Sequence, residues 1–140
     1  WSDLCGKKIA VERGTVSEDL AKSEAKKCPS GKKLPIEAFD DDQQSQTRLR
    51  AGGADAASSD FPVAAYAAKT SGGGKDFQIV GAQVEAAPYG IAVSKENTQL
   101  RDALQAAMNA VIKSGEYKKI LEKWGAQDGA VTSSAINGGK

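Results

Sequence analysis

KIAVERGTVSEDLAKSEAKK, residues 8–27, holds a complete strand–turn–helix unit, and the chain repeats that grammar on its C-terminal side. Lys8 to Val11 is a short apolar run of the kind that forms a buried strand. Gly14-Thr15 supplies a turn, and Ser17 to Lys27 reads as a helix. Its early Glu18 and Asp19 and its late Lys26 and Lys27 suit the helix dipole. Pro29-Ser30-Gly31 breaks the helix. Leu34 to Phe39 is a second strand, and a second helix runs from about Gln43 to Ala51 and ends at Gly52-Gly53. Ala54 to Ser58 is a third strand, Phe61 to Thr70 a third helix, Gly72-Gly73-Gly74 a loop, and Phe77 to Val80 a fourth strand. Strands alternating with helices of about ten residues indicate βαβ units, and so an α/β lobe with a mostly parallel sheet flanked by helices. In such sheets ligands collect outside the carboxyl ends of the strands. The loops after Val11 and after Ser58 are therefore the places to look.

Beyond Pro88 the pattern changes. Tyr89 to Val93 reads as a strand, and Asn97 or Thr98 can cap a long helix. Leu100, Leu104, Ala107, Met108, Val111 and Ile112 recur at intervals of three and four, which gives one apolar stripe. Ser114-Gly115 interrupts this helix. A second one carries Tyr117, Ile120, Leu121 and Trp124 and stops at Gly125. The stretch from Ala126 to Lys140 is small and polar and reads as an extended or mobile end. There is no internal repeat.

Nineteen basic and eighteen acidic residues leave a formal charge of +1. Lys7-Lys8, Lys26-Lys27 and Lys118-Lys119 are scattered among acidic residues, so no nucleic-acid footprint is present. No apolar run approaches the roughly 20 residues that span a bilayer. The chain begins at Trp1, without methionine or signal peptide, and reads as a processed or trimmed piece whose export signal would lie upstream. Histidine is absent, and Cys5 and Cys28 are the only cysteines. That set makes a poor zinc site and leaves a thiol nucleophile without its usual base. The remaining readings are a disulfide, worth roughly 3 kcal/mol by chain entropy, or two buried free thiols. A persistent disulfide implies an oxidising compartment.

Glu12-Arg13-Gly14-Thr15-Val16-Ser17 lies between a strand and a helix. Free N–H groups at a helix start favour a carboxylate or phosphate, Thr15 adds a hydroxyl, and Gly14 allows close backbone approach. Thr15 is equally well placed as a plain N-cap, and no Gly-Lys-Ser/Thr follows to make a phosphate loop. At Ser59-Asp60-Phe61-Pro62, Asp60 can cap the next helix or hold a ligand cation, since a carboxylate has acceptor sites for both. Were the two strands neighbours, an anion-attracting helix start and a carboxylate would match the two charges of a free α-amino acid.

Cys5-Gly-Lys-Lys-Ile-Ala-Val-Glu-Arg-Gly-Thr, Gly53-Ala-Asp-Ala and Ser59-Asp-Phe-Pro-Val-Ala-Ala-Tyr resemble the second lobe of the family 3 solute-binding proteins of ABC importers, which bind polar amino acids. Pro88-Tyr-Gly-Ile-Ala-Val-Ser-Lys-Glu-Asn, Leu100-Arg-Asp-Ala-Leu and Gly115-Glu-Tyr-Lys-Lys-Ile-Leu-Glu-Lys-Trp-Gly are similar to that family's C-terminal stretch. The matches run in order from Asp3 to Gly125, and the Cys5/Cys28 pair resembles a subset from high-GC Gram-positive bacteria.

The resemblance implies a type II periplasmic-binding fold in which two lobes close on the ligand. Residues 1–88 would be the second lobe, 89–93 the return hinge strand, 94–125 helices that pack on a first lobe absent from this chain, and 126–140 a polar tail. It implies that Asp60 meets the ligand's α-ammonium, that Thr15 and the Val16 amide meet its α-carboxylate, and that Glu12, Ser17 and Ser59 lie near its side chain. Val16 stands where many relatives carry Thr or Gly, so a hydroxyl is lost there. The implied partners are a free amino acid, an ABC permease and the missing first lobe. The implied location is extracellular, cell-surface or periplasmic, with membrane attachment only through an upstream lipid anchor, and no cofactor or metal is implied. The family's first lobe supplies an arginine and aromatics that cannot be mapped here, and an isolated piece with its apolar stripe uncovered should associate, swap, or pair with its missing half. A sensor or receptor module on the same fold is the alternative. A dehydratase-like enzyme is a lesser one, because without histidine only Glu12, Asp60 and the unseen lobe could supply an acid or base. Glu12 would favour a basic or amide-bearing ligand and Arg13 an acidic one, so the amino acid stays unnamed.

Overall fold

The computed structural model describes residues 1–139. They form two compact units, Trp1–Ile79 and Val80–Lys140.

The first unit is a three-stranded parallel sheet in the order β2-β1-β3, with β1 at Ile9–Glu12, β2 at Ile36–Phe39 and β3 at Ala56–Ser58. In register Ile9 faces Ile36 and Ala56, and Val11 faces Ala38 and Ser58. The start of the β1/β3 pair is fixed by Asp55, whose carboxylate accepts the Lys8 N–H at 2.7 Å while its own N–H donates to the Lys8 carbonyl at 2.8 Å. Helices α1 (Val16–Ala25), α2 (Asp42–Arg50) and α3 (Phe61–Thr70) follow the three strands. Each begins where its sequence provides a stop for the strand. Thr15 caps α1 by accepting from Glu18 N, and Asp41 caps α2 by accepting from Gln44 N. Pro62 stands in the first turn of α3, where its missing N–H costs nothing.

Alternation along β1 sends Ile9 and Val11 to one face and Ala10 to the other. Ile9 and Val11 join Ala21 and Leu34 in a buried cluster, with Trp1, Leu4, Cys28 and Ile36 packed around it. Each fully buried Ile, Val or Leu contributes about 1.5–3 kcal/mol. The Cys5–Cys28 disulfide is formed and ties the 3-10 turn at Ser2–Leu4 to the chain leaving α1. Helix α2 packs against β1 and β2.

The second unit contains α4 (Thr98–Ser114) and α5 (Glu116–Trp124), which pack on each other. Asn97 caps α4, and Gly115 and Gly125, both in the left-handed region, end α4 and α5. Neither helix contains a buried residue. The tail is less free than its composition implies. A 3-10 turn forms at Gln127–Gly129, and the segment beyond it is held by Tyr117, Gln105 and Asn109 through hydrogen bonds to Val131 and Ser134.

Two stretches expected as strands, 77–80 and 89–93, form no β-ladder among the described residues. The physical reason is that an apolar run becomes a strand only when a neighbouring edge pairs with it, and neither stretch has one here.

Candidate functional site

All three strands of a parallel sheet leave it at the same edge, so the loops following β1, β2 and β3 lie along one rim. These loops carry Arg13-Gly14-Thr15, Asp40-Asp41 and Ser59-Asp60. The condition that the sequence left open, that the first and third strands be neighbours, holds: β1 and β3 pair in parallel with Val11 opposite Ser58.

At the β1 exit the backbone turns through Gly14, whose φ of 73° lies in the left-handed region that favours glycine. Thr15 then caps α1. Its hydroxyl donates to the Glu12 carbonyl at 2.7 Å and accepts from Glu18 N–H at 3.3 Å. A hydroxyl has one proton, and in this arrangement Glu12 takes it. The N–H groups of Val16 and Ser17, at the start of the helix, have no intrahelical acceptor and carry the positive end of the helix dipole. Val16 is exposed and Ser17 half-buried at this start. Glu12, half-buried, closes β1 opposite Phe39.

At the β3 exit Ser59 is half-buried and Asp60 exposed. Asp60 occupies the N-cap position of α3 without a side-chain capping hydrogen bond. The cap that its position predicts is therefore not made by the carboxylate.

Arg13 is turned toward β2. Its guanidinium donates to the Ala38 carbonyl at 2.9 Å and pairs with Asp40 at 3.5 Å. Glu18 belongs to the same rim, and the sequence reading uses it only as a dipole charge. Its carboxylate accepts the Gly14 N–H at 2.7 Å and meets Lys22 at 2.8 Å. The Lys22 ammonium first, and the Gly14 N–H second, hold this carboxyl below its usual range. The signal that marks it in the sequence is the Thr15-x-x-Glu18 spacing of a capping box.

Two concavities lie elsewhere in the first unit. One of about 480 Å³ sits beside the disulfide, lined by Trp1, Asp3, Cys5, Glu24, Lys27 and Lys32. The other, of about 210 Å³, is lined by residues of α2 and α3 with Phe77. Neither is lined by Glu12, Thr15 or Asp60. Among the described residues no group of three or more His, Cys, Asp or Glu could hold a metal ion, and no helix is long and apolar enough to cross a membrane.

Residues 6–127 match the family of bacterial extracellular solute-binding proteins, family 3. An arginine-binding protein of Corynebacterium glutamicum is 35% identical over 138 residues, which cover 96% of this chain and 44% of that protein. An L-arginine-binding protein of Pseudomonas aeruginosa is 31% identical over 128 residues, with 88% and 48% covered. Among solved structures, an ancestral arginine-binding protein bound to arginine is similar with a TM-score of 0.64 and 35% identity, over 88% of this chain and 52% of that one. The chain thus spans about half the length of the curated relatives it matches.

Proposed function

We propose that this chain, which belongs to the bacterial extracellular solute-binding proteins of family 3, is one half of an amino-acid trap that serves an ABC importer. The observation that carries the reading is the parallel pairing of β1 with β3, which sets the start of α1 and Asp60 on adjacent strand exits. A free α-amino acid presents a carboxylate and an ammonium on one carbon. The backbone amides at the start of α1, those of Thr15 and Val16, suit the carboxylate, the Thr15 hydroxyl proton being held by Glu12, and Asp60 suits the ammonium. Glu12, Ser17 and Ser59 lie on the same rim and are assigned to the ligand's side chain.

In this reading residues 1–88 are the second lobe and 89–93 the return hinge. Residues 94–125 carry the helices that pack on a first lobe, and 126–140 are the polar tail. The first lobe is assigned to a part of the protein outside these residues and completes the cleft. Delivery to a permease, and a lipid anchor upstream of Trp1, belong to the same reading. Two similar proteins are named for binding arginine and another for binding glutamine, which supports capture rather than turnover and makes these two amino acids the first ligands to try.

The test is calorimetry on the full protein with L-arginine and L-glutamine. Asp60→Ala should weaken binding by about a hundredfold or more, because it leaves an enclosed ammonium without its counter-charge. Unchanged affinity would remove Asp60 from the site, and ligand returned chemically altered would replace capture by catalysis.

A further inference from the structure

We infer that Glu18 is a positioning residue that sets the shape of the ligand-receiving loop by holding the Gly14 amide; this rests on the reading above, in which α1 begins at the ligand's carboxylate. In an ordinary capping box the acidic residue at the third helical position reaches back to the N–H of the N-cap itself. Here the N-cap is Thr15, yet the Glu18 carboxylate takes the N–H of Gly14, one residue outside the helix, at 2.7 Å. Gly14 is the left-handed residue on which the chain turns from β1 into α1. The bond therefore fixes the turn as well as the helix end.

Three further contacts close the arrangement. Thr15 Oγ1 donates to the Glu12 carbonyl at 2.7 Å and accepts from Glu18 N–H at 3.3 Å. The second Glu18 oxygen meets Lys22 at 2.8 Å. Glu12, Gly14, Thr15 and Glu18 form one hydrogen-bonded ring across the strand exit. Glu18 is 9% exposed, which is unusual for a glutamate unless its charge is engaged on both oxygens.

A free carboxylate in the first turn of α1 would repel an arriving anion. Engaged by Lys22 and Gly14, it leaves the dipole end of the helix available while holding the loop rigid. Preorganisation of this sort acts on affinity because the amides need no rearrangement when the ligand arrives. The Thr15 hydroxyl contributes through the same ring, since its proton is already committed to Glu12.

Reach and charge separate in two substitutions. Glu18→Gln keeps a side-chain oxygen at the right distance for the Gly14 N–H and removes the charge. Glu18→Asp keeps the charge and a favourable first-turn acid but is too short to span to Gly14. In the full protein, titrated with L-arginine, Glu18→Asp should weaken binding roughly tenfold, and Glu18→Gln should stay within about threefold of the unaltered protein. The Gly14 amide proton, followed by NMR without ligand, should keep its hydrogen-bonded position in Glu18→Gln and lose it in Glu18→Asp.

Wild-type affinity in Glu18→Asp, with the Gly14 resonance displaced, overturns the inference and leaves Glu18 a stabilising residue only. Loss in Glu18→Gln with Glu18→Asp unaffected overturns it in favour of charge, and equal loss in both overturns reach to Gly14 as the deciding property. Glu18→Asp losing affinity with the Gly14 resonance in place also overturns it. Asp60→Ala, run beside them, distinguishes the levels. If it binds normally, or if the unaltered protein binds neither L-arginine nor L-glutamine, the underlying site is wrong and this inference falls with it.

Discussion

The units Trp1–Ile79 and Val80–Lys140 are built on opposite plans. In the first, small and branched residues of a central strand disappear completely: Ile9, Ala10 and Val11 are 1%, 0% and 0% exposed. In the second, α4 and α5 are amphipathic and well capped, yet Leu100, Val111, Ile120 and Trp124 on them stay between 38% and 50% exposed. Both units hold regular helices, but the origins of their stability differ. Helices α1 and α2 of the first lie on a sheet that covers their inner face. Those of the second depend on Asn97, on the left-handed glycines 115 and 125, and on each other. Most helical stability in proteins comes from burying one face, so an uncovered apolar face on two adjacent helices marks a surface made to be covered. Under the proposed function that cover is the first lobe.

The largest expected effects test whether the first unit supplies its own stability. Ile9→Ala removes most of a fully buried side chain from the centre of the sheet and should cost about 2–5 kcal/mol in chemical denaturation. A loss below about 1 kcal/mol would mean that the cluster is not the source of stability and would break the contrast. Next in size is the crosslink. Replacing Cys5 and Cys28 by serine frees a loop whose ends are 23 residues apart and should lower stability by about 2–4 kcal/mol. Thermal melts of the double variant and of the reduced wild type should then coincide.

How much of this was legible in the sequence depends on whether a feature is local. The three strand–helix units of the first 70 residues follow from short apolar runs, turn glycines and cap residues, and they stand where those signals put them, within a residue or two. The order β2-β1-β3 is not local. Nothing near Val11 says that Ser58 rather than some other strand lies beside it, and the site hypothesis turned on that neighbour. The stretches 77–80 and 89–93 carry the apolar, branched composition of strands, yet composition supplies no partner edge. Asp60 shows the same division at the site: its place at the start of α3 is legible, but whether its carboxylate caps the helix is not. Glu18 looked like one more acid at a helix start because its bond to Gly14 depends on how the chain folds back. The polar tail looked free because the hydrogen bonds from Gln105, Asn109 and Tyr117 reach it from 14 to 29 residues away.

Two smaller effects sharpen the picture of the first unit. Glu37 of β2 receives Arg48 at 2.7 Å and Lys8 at 3.1 Å. The Arg48 guanidinium foremost, and then Lys8, lower its carboxyl from the ordinary 4.5 to about 2. A depressed carboxyl stabilises the folded state fully above its unfolded value and loses that contribution as pH falls through the folded one. The acid limb of unfolding should therefore steepen between pH 4.5 and about 2, and Glu37→Gln should remove that component while lowering stability at neutral pH. Ser45, fully buried on α2, has a hydroxyl without a hydrogen-bond partner among the described residues. Ser45→Ala should leave stability unchanged or raise it by up to about 1 kcal/mol, since it removes a buried polar group that nothing satisfies. A loss of that size would mean that the hydroxyl is satisfied in solution.

The smallest effect is the most informative about the second unit. Ile120 is half exposed on α5, and Ile120→Ala forfeits little burial while slightly improving helix propensity. Measured on residues 1–140 alone, it should change stability by less than about 0.5 kcal/mol. If the face is covered in the full protein, the same substitution opens a cavity at an interface and should cost roughly 2–5 kcal/mol there, as a buried isoleucine does. The comparison is between two backgrounds for one mutation, so helix propensity and intrinsic side-chain effects cancel. A small effect in both would mean that α4 and α5 stay solvated and that their apolar stripe serves something other than a first lobe. A large effect in residues 1–140 alone would mean that the face is already covered there, by another copy of the chain, and the sedimentation behaviour of the two backgrounds would separate that case from the first.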